Sequence, residues 1–169
     1  SIKNAKENTM KERLSNVEFK VADAEDTGID ESTFDVINEY GCLHHLDLNI
    51  ALPEIVRIMK KDGCMIACET LGHNPIIDLY RRRTLELRTA WEVDHILKKK
   101  HFDLMKKYFN KVDIKFYHLF TLLAVPIRNT FLFKPVIFVL ELIDGIVLKI
   151  PGIRWMAWHA IVILSGPKK

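Results

Sequence analysis

Four histidines in this sequence could act as general bases, because an imidazole titrates near neutral pH. They lie near predicted loops or strand ends, and they are His44, His45, His73 and His95. His73 is the first choice, since it follows a predicted strand and stands close to Glu69 and Asn74. His95 and His45 are the next candidates, with Asp94 as the group that would orient His95 or cap a helix. For each of them, a structural role bonded to backbone is the alternative.

Three short polar segments follow predicted strands, where open parallel sheets bind their ligands. They are Asp23-Ala24-Glu25-Asp26, Glu39-Tyr40-Gly41 and residues 69–74. An acidic turn at a strand end can accept hydrogen bonds from an amine or hydroxyl of a ligand. Such a turn is weak evidence alone, because Asp and Glu in turns are usually solvated or capping.

The elements that must position these groups alternate between strand and helix. Strands are predicted at residues 17–21, 34–38 and 64–68, with a helix at 2–14 before the first and a helix at 48–59 before the third. Lys60, Lys61, Asp62 and Gly63 are predicted to end the second helix. An apolar strand that is reached through a helix indicates a parallel α/β sheet.

The second part of the chain is more basic and more apolar. A short helix is predicted to begin at Pro75, a basic helix at 98–109, and strands at 112–120 and 156–164. Between these strands lies an apolar insertion, about residues 119–153, with a helix at 131–150. Charged residues interrupt it, so it does not predict a membrane span. It could cover the sheet, face lipid or form a protein interface.

Composition excludes disorder and disulfide-stapled miniproteins. The 169 residues are 49% hydrophobic and 28% charged, which suits one globular domain. Residues 1–75 carry 8 Lys and Arg against 14 Asp and Glu, whereas residues 76–169 carry 17 against 8. Three cysteines, Cys42, Cys64 and Cys68, predict buried thiols in a reducing, cytoplasmic compartment. No metal site is predicted, and basic runs without interleaved aromatics do not predict nucleic-acid binding.

Four linked segments resemble the middle of a class I S-adenosylmethionine-dependent methyltransferase. They are residues 21–26, 34–37, 43–46 and 60–64, and their order and spacing match from about residue 1 to residue 69. The resemblance implies a Rossmann-like α/β sheet with helices on both faces and S-adenosylmethionine as cofactor. It divides the single domain into a cofactor-side half, residues 1–75, and an acceptor-side half, residues 76–169.

The resemblance also implies a set of cofactor contacts. Asp23 would accept a hydrogen bond from the adenine amine, with the Ala24 amide at the ring edge and Glu25 in the same acidic turn. Glu39, Tyr40 and Gly41 would border the methionine part and the sulfonium, since carboxylates and aromatic faces favour a nearby cation. A capping role for Glu39 and a core role for Tyr40 are the alternatives.

The family also has a glycine-rich loop and an acidic ribose-binding residue earlier in its sheet. No Gly-x-Gly occurs in these 169 residues. We therefore expect a domain incomplete at its amino end, in which the strand at 17–21 lacks its neighbour and cofactor binding by this chain alone is poor.

Function follows as an expectation from the resemblance. It is methyl transfer to a small or amphipathic acceptor, such as a hydroxyl of a lipid, quinone or glycan-related molecule. The alternative is a non-catalytic binding or scaffold protein that associates peripherally with a membrane. The oligomeric state is not predicted.

Overall fold

A four-stranded mixed sheet forms the centre of the computed structural model, which describes residues 2–84 and 95–169. The strands are β1 (Phe34–Tyr40), β2 (Met59–Thr70), β3 (Phe109–Tyr117) and β4 (His159–Pro167). They lie in the order β1-β2-β4-β3, with β1 parallel to β2 and β4 antiparallel to both of its neighbours. The helices are α1 (Ile2–Lys11), α2 (Leu48–Ile58), α3 (Pro75–Arg83), α4 (Lys99–Tyr108) and α5 (Phe133–Val147).

Side chains of a strand alternate between the two faces of the sheet. One of these faces forms the hydrophobic core. Met65 and Ala67 of β2 are buried on this face beside their β4 partners Leu164 and Val162. Helices α2 and α4 contribute further buried apolar side chains to the same cluster: Leu52, Ile55, Val56, Phe102 and Met105. The Rossmann-like α/β fold predicted from the sequence is confirmed.

Local sequence explains where α2 and α3 begin. Asp47 caps α2 by accepting a hydrogen bond from the Asn49 amide at 2.9 Å. Asn74 caps α3 through the amides of Ile76 and Ile77, and Pro75 occupies the first helical position as predicted.

The segment 60–63, predicted as a helix stop, lies inside β2 instead. Phe34 pairs with Met59 and Val36 pairs with Cys64, so the intervening residues of β2 form a bulge. Gly63 makes this bulge possible, because a Cβ there would lie 3.0 Å from the carbonyl oxygens of Asp35 and Lys60. The apolar strand predicted at 64–68 is therefore the second half of a longer strand.

The prediction of a strand at residues 17–21 is wrong. These residues are irregular, and Val21 is 85% exposed. An isolated extended segment has no ladder of hydrogen bonds to stabilise it, and within the described ranges no strand lies beside it. The preceding helix α1 ends at Lys11 and buries none of its side chains.

The remaining predicted elements are confirmed with shifted ends, namely α4, β3, α5 and β4. The cysteine prediction needs a correction, since all three thiols are half-buried rather than buried. Cys64 and Cys68 share a strand face with Ile66, which is also partly exposed. In the described part of the chain, no helix is long and apolar enough to cross a membrane.

Glu54 of α2 joins the loop before β1 to the helix. Its carboxylate accepts hydrogen bonds from the Thr27 amide at 3.0 Å and hydroxyl at 2.5 Å, and from the Arg57 guanidinium at 2.7 and 2.8 Å. The bond from Arg57 is the main cause that lowers the pKa of Glu54 to about 2. The ionised form of Glu54 therefore stabilises the folded chain at neutral pH.

We predict that Glu54→Gln lowers the free energy of unfolding at pH 7 by about 1–3 kcal/mol, the value of charge-assisted bonds. The pKa of Glu54 in the folded protein lies below the usual value of 4.5. The loss of stability in Glu54→Gln is therefore complete above pH 4.5 and disappears as the pH falls towards 2. Urea unfolding at pH 7 and pH 3 measures it. Asp35→Asn, at an exposed carboxylate bonded to Lys60, is the control. An equal loss in both variants would contradict the role of Glu54.

Candidate functional site

The carboxyl ends of β1 and β2 bring acidic and imidazole groups together. Because these two strands are parallel, with Tyr40 opposite Cys68, the residues that follow them lie at the same edge of the sheet. After β1, the chain turns at Gly41, whose φ is +64°, and enters a 3-10 turn at Leu43–His45. Glu69 lies near the end of β2 and points into this turn.

Glu69 and His44 form the centre of the site. Oε2 of Glu69 lies 2.6 Å from Nδ1 of His44, and Oε1 accepts a hydrogen bond from the Leu43 amide at 2.6 Å. Glu69 is 0% exposed and His44 is 7% exposed. A buried carboxylate is costly unless it is hydrogen-bonded, so these two contacts hold both the turn and the imidazole in place.

Glu39 adds a second carboxylate to the same edge. Its Oε2 accepts a hydrogen bond from the Cys42 amide at 2.8 Å, whereas its Oε1 is buried and has no hydrogen-bond partner among the described residues. Burial, followed by the charge of Glu69, raises the pKa of Glu39 to about 7. The site therefore holds an acceptor atom that a cation or a donor group of a ligand could use.

His45 and His73 lie differently with respect to this centre. His45 is exposed, and its ring centroid is 4.2 Å from that of His44. His73 is half-buried against Trp155, and its Nε2 accepts a hydrogen bond from the Lys99 amide at 3.2 Å. Burial, then the Lys98 charge, lowers the pKa of His73. His45 therefore lies beside the imidazole of the His44–Glu69 pair, whereas His73 is hydrogen-bonded to the start of α4.

His95 lines a separate cavity of about 590 Å³ between the start of α2 and α4. Asp47, His101 and Asp103 also line this cavity. Asp94, the predicted partner of His95, lies outside the described residues. Burial and neighbouring positive charges lower the pKa of His101 to about 4, so the imidazole in this cavity is neutral at pH 7.

The acidic turn after residue 22 lies against the same end of the sheet. Oε1 of Glu25 accepts a hydrogen bond from the Asp47 amide at 2.6 Å, which ties the turn to the start of α2. Asp23 and Ala24 are exposed, and Oδ1 of Asp23 accepts from the Glu25 amide at 3.0 Å. Tyr40 is 78% exposed, so the core role weighed for it is wrong.

Sequence reasoning considered His44 but favoured other histidines, and it treated Glu69 only as a neighbour of His73. The sequence positions of Glu69 and His44 did indicate that the two side chains would lie close together. Glu69 and His44 each lie within a few residues of the carboxyl end of a predicted parallel strand, and such ends share one edge of a sheet.

Known proteins share the family pattern and the fold of this chain. A family model described as a methyltransferase domain matches residues 1–67. No curated protein sequence matches the chain. The match covers the acidic turn, β1, the 3-10 turn, α2 and β2 as far as Ala67, so it ends two residues before Glu69.

Solved structures share the fold over nearly the whole chain. Phosphoethanolamine N-methyltransferase 2 of Haemonchus contortus, bound to phosphomonomethylethanolamine and S-adenosylhomocysteine, is 15% identical with a TM-score of 0.60, covering 96% of this chain and 40% of that chain. The CMeT domain of the citrinin polyketide synthase is 14% identical with a TM-score of 0.59, covering 98% and 36%. Geranyl diphosphate C-methyltransferase of Streptomyces coelicolor A3(2) is 11% identical with a TM-score of 0.55, covering 95% and 59%.

The fold is therefore that of class I S-adenosylmethionine-dependent methyltransferases, and the resemblance found in the sequence is confirmed. The chain spans between about a third and two thirds of the length of the first solved structures that it matches. At these identities the likeness establishes the fold, and the acceptor has to be argued from the site.

The raised pKa of Glu39 predicts a change of stability with pH. The folded protein keeps this carboxyl protonated up to about pH 7, whereas an ordinary glutamate ionises near 4.5. The folded state binds more protons between these values, so its stability falls as the pH rises through this window. Glu39→Gln should be more stable than the unmodified chain at pH 8 by about 1–2 kcal/mol, after allowance for solvent screening, and nearly equal to it at pH 5.

Urea unfolding at the two pH values measures the effect of Glu39→Gln. The matched control is Glu18→Gln, which changes an exposed glutamate far from the site. A Glu39→Gln variant that loses stability at pH 8 would show that the ionised carboxylate is favourable where it lies.

Proposed function

We propose that the protein is an S-adenosylmethionine-dependent methyltransferase of a small or amphipathic acceptor, in which His44, oriented by Glu69, takes the proton from the acceptor. One observation carries the proposal: the buried 2.6 Å contact between the two side chains at the carboxyl ends of parallel strands. An imidazole whose second nitrogen is held by a carboxylate is the common arrangement of a general base.

The residues at this edge fit the cofactor. Buried Oε1 of Glu39 has no partner among the described residues, and a positive group beside it would stabilise its ionised form. The ammonium or sulfonium of S-adenosylmethionine is such a group. Asp23 accepts one backbone hydrogen bond, and its remaining lone pairs could accept the adenine amine. Glu39, the Gly41 turn and Asp23 would hold the cofactor, which supplies an electrophilic methyl group when bound.

His44 and Glu69 have distinct roles in this proposal. With Nδ1 directed to Glu69, Nε2 is the nitrogen that would take the proton from an acceptor hydroxyl or another acidic group. S-adenosylmethionine, when bound, would supply its methyl group to the acceptor and leave as S-adenosylhomocysteine, and the acceptor proton would pass through His44 to water. Glu69 keeps the imidazole oriented and stabilises its charged form.

The other histidines have weaker support as catalytic residues. His45 lies against the His44 ring and is exposed, so it could contact the acceptor. His73 and His95 stay predictions, because neither has a described contact with the His44–Glu69 pair.

A non-catalytic scaffold is the second candidate. The observation that favours it is the exposure of Asp23 and Ala24, the residues expected to contact the adenine. A scaffold would retain the fold and lose the affinity for S-adenosylmethionine.

Calorimetric titration of S-adenosylmethionine into the full-length protein separates the two candidates. The methyltransferase proposal expects binding that weakens by about tenfold in Glu39→Gln, which removes the carboxylate charge, corresponding to about 1.4 kcal/mol. Asp35→Asn, an exposed strand carboxylate bonded to Lys60, is the matched control and should bind as the unmodified protein does. Absence of binding by the folded full-length protein would favour the scaffold.

The role of the pair is tested by turnover. Formation of S-adenosylhomocysteine is measured with acceptors of the classes that the structural neighbours act on, beginning with phosphoethanolamine and geranyl diphosphate. Glu69→Gln and His44→Asn should each lower turnover by about 10²-fold or more, as expected for loss of a general base, while cofactor affinity changes little.

Thermal unfolding confirms that each variant is folded. Turnover that survives both substitutions in folded protein would contradict the assignment. Parallel losses of turnover and cofactor affinity would instead assign the pair a structural role.

A further inference from the structure

Helix α5 presents an apolar face to solvent, which is the reverse of an ordinary surface helix. Phe138, Leu142 and Ile146 are spaced at four-residue intervals, so they share one face of the helix, and their exposed fractions are 62%, 56% and 69%. Val139 extends the same face, and Phe131, two residues ahead of the helix, is also exposed. The 3-10 turn at Thr121–Ile127 adds exposed Leu123 and Val125.

The buried carboxylate of Asp144 fixes the orientation of α5, so that the apolar face points to solvent. Asp144, on the opposite side of α5, accepts hydrogen bonds from the amides of Leu119, Phe120 and Thr121 at 2.7 to 3.2 Å and from the Thr121 hydroxyl at 3.0 Å. Asp144 is buried, so α5 is fastened to the preceding turn through its polar side. The apolar face is therefore a defined surface of the fold.

The charges around this face are mainly positive. Lys134 and Lys149 lie at the two ends of α5, and Arg128 lies between the 3-10 turn and the helix; all three are exposed. Glu141 is the exposed carboxylate of α5, since Asp144 is occupied by backbone donors. An apolar strip that basic side chains flank is complementary to the boundary between the headgroups and acyl chains of an anionic bilayer.

A cavity of about 540 Å³ opens beside α5, between the helix and β3. Lys115, Lys149 and Arg154 line it together with Phe116 and Leu148, and Glu141 and Asp144 contribute the opposite charge. The Arg154 guanidinium lies 5.5 Å from the centre of the Phe116 ring, and its Nε is buried without a hydrogen-bond partner in the described ranges. This cationic and apolar lining matches a lipid headgroup with the start of its chain.

We propose that residues 119–156 form a docking surface for an anionic lipid bilayer, with the apolar face of α5 lying in the plane of the headgroups. The helix has 15 residues and is about 22 Å long, which suits a position in that plane rather than across the bilayer. A second copy of the chain fits less well, because a symmetric contact would place Lys134, Lys149 and Arg128 near like charges. The proposal does not rest on methyl transfer.

The test is flotation of the full-length protein with two kinds of vesicle: phosphatidylcholine alone, and phosphatidylcholine mixed with phosphatidylglycerol. Binding is expected to the mixed vesicles and to weaken as salt is raised. Phe138→Glu combined with Leu142→Glu should lower the partition coefficient by about tenfold or more, since the changes remove buried apolar area and add negative charge. Lys134→Gln and Lys149→Gln should each lower it by about fivefold.

Matched controls come from other surfaces of the same chain. Ile76→Glu replaces an apolar residue on α3 that is more exposed than Phe138 and Leu142, and Lys61→Gln removes an exposed lysine from the β2 bulge. Both controls should float like the unmodified protein. Because all the substituted side chains are exposed, the folded structure should survive, and circular dichroism checks this.

Three results would overturn the proposal. The first is failure of the unmodified protein to float with the mixed vesicles. The second is flotation that the α5 substitutions leave unchanged. The third is self-association in sedimentation velocity that Phe138→Glu with Leu142→Glu abolishes, without vesicle binding, which would assign the face to a second copy of the chain.

Discussion

The contact between Glu69 and His44 is the constraint on which the rest of the site depends. A carboxylate with no exposure is tolerated in a protein interior only when its oxygens are hydrogen-bonded, and Glu69 obtains both bonds from one short turn after β1. The parallel pairing of β1 with β2 makes this geometry possible, because it sets the two strand ends side by side. Glu39 then becomes the second carboxylate of a confined group, and its burial, followed by the charge of Glu69, raises its pKa.

Two parts of the chain have different physical characters. In the acidic half, the carboxylates of Glu25, Glu54 and Glu69 accept backbone hydrogen bonds that fasten loops and turns to α2 and to the sheet edge. In the basic half, Asp144 performs the comparable task for α5 and leaves the apolar face of this helix outward. Carboxylates thus connect irregular segments to the core in both halves. The assignment of residues 1–75 to the cofactor and of residues 76–169 to the acceptor stays a prediction.

Sequence periodicity predicted the helices and strands that depend mainly on their own local residue pattern. Helix α2 has a capping residue and an apolar face, so it was found at nearly the observed position, and the apolar run of β2 revealed the second half of that strand. The segment at 17–21 alternates like a strand, yet a strand needs a neighbour, and periodicity does not report whether one is present. The bulge at 60–63 depends on the close approach of the Asp35 carbonyl to Gly63, a contact distant in sequence.

The site was predicted in part for the same reason. Residues after the strands were found because the carboxyl ends of parallel strands share an edge, but which histidine meets which carboxylate depends on the path of the turn. For α5, the sequence left open whether it covers the sheet, faces lipid or meets a protein. The pairing of Asp144 with the amides of 119–121 decided the orientation of the helix, and no local pattern in the sequence contains that pairing.

Glu69 is placed to accept the Nδ1 proton of His44, and Nε2 is the nitrogen proposed for proton transfer. Long-range ¹H–¹⁵N correlation spectra of the ¹⁵N-labelled protein at neutral pH report directly which ring nitrogen carries a proton. We expect a protonated Nδ1 in His44, with a change in this signal when Glu69 is replaced by Gln. An Nε2-protonated ring with an unprotonated Nδ1, unchanged by that replacement, would contradict it.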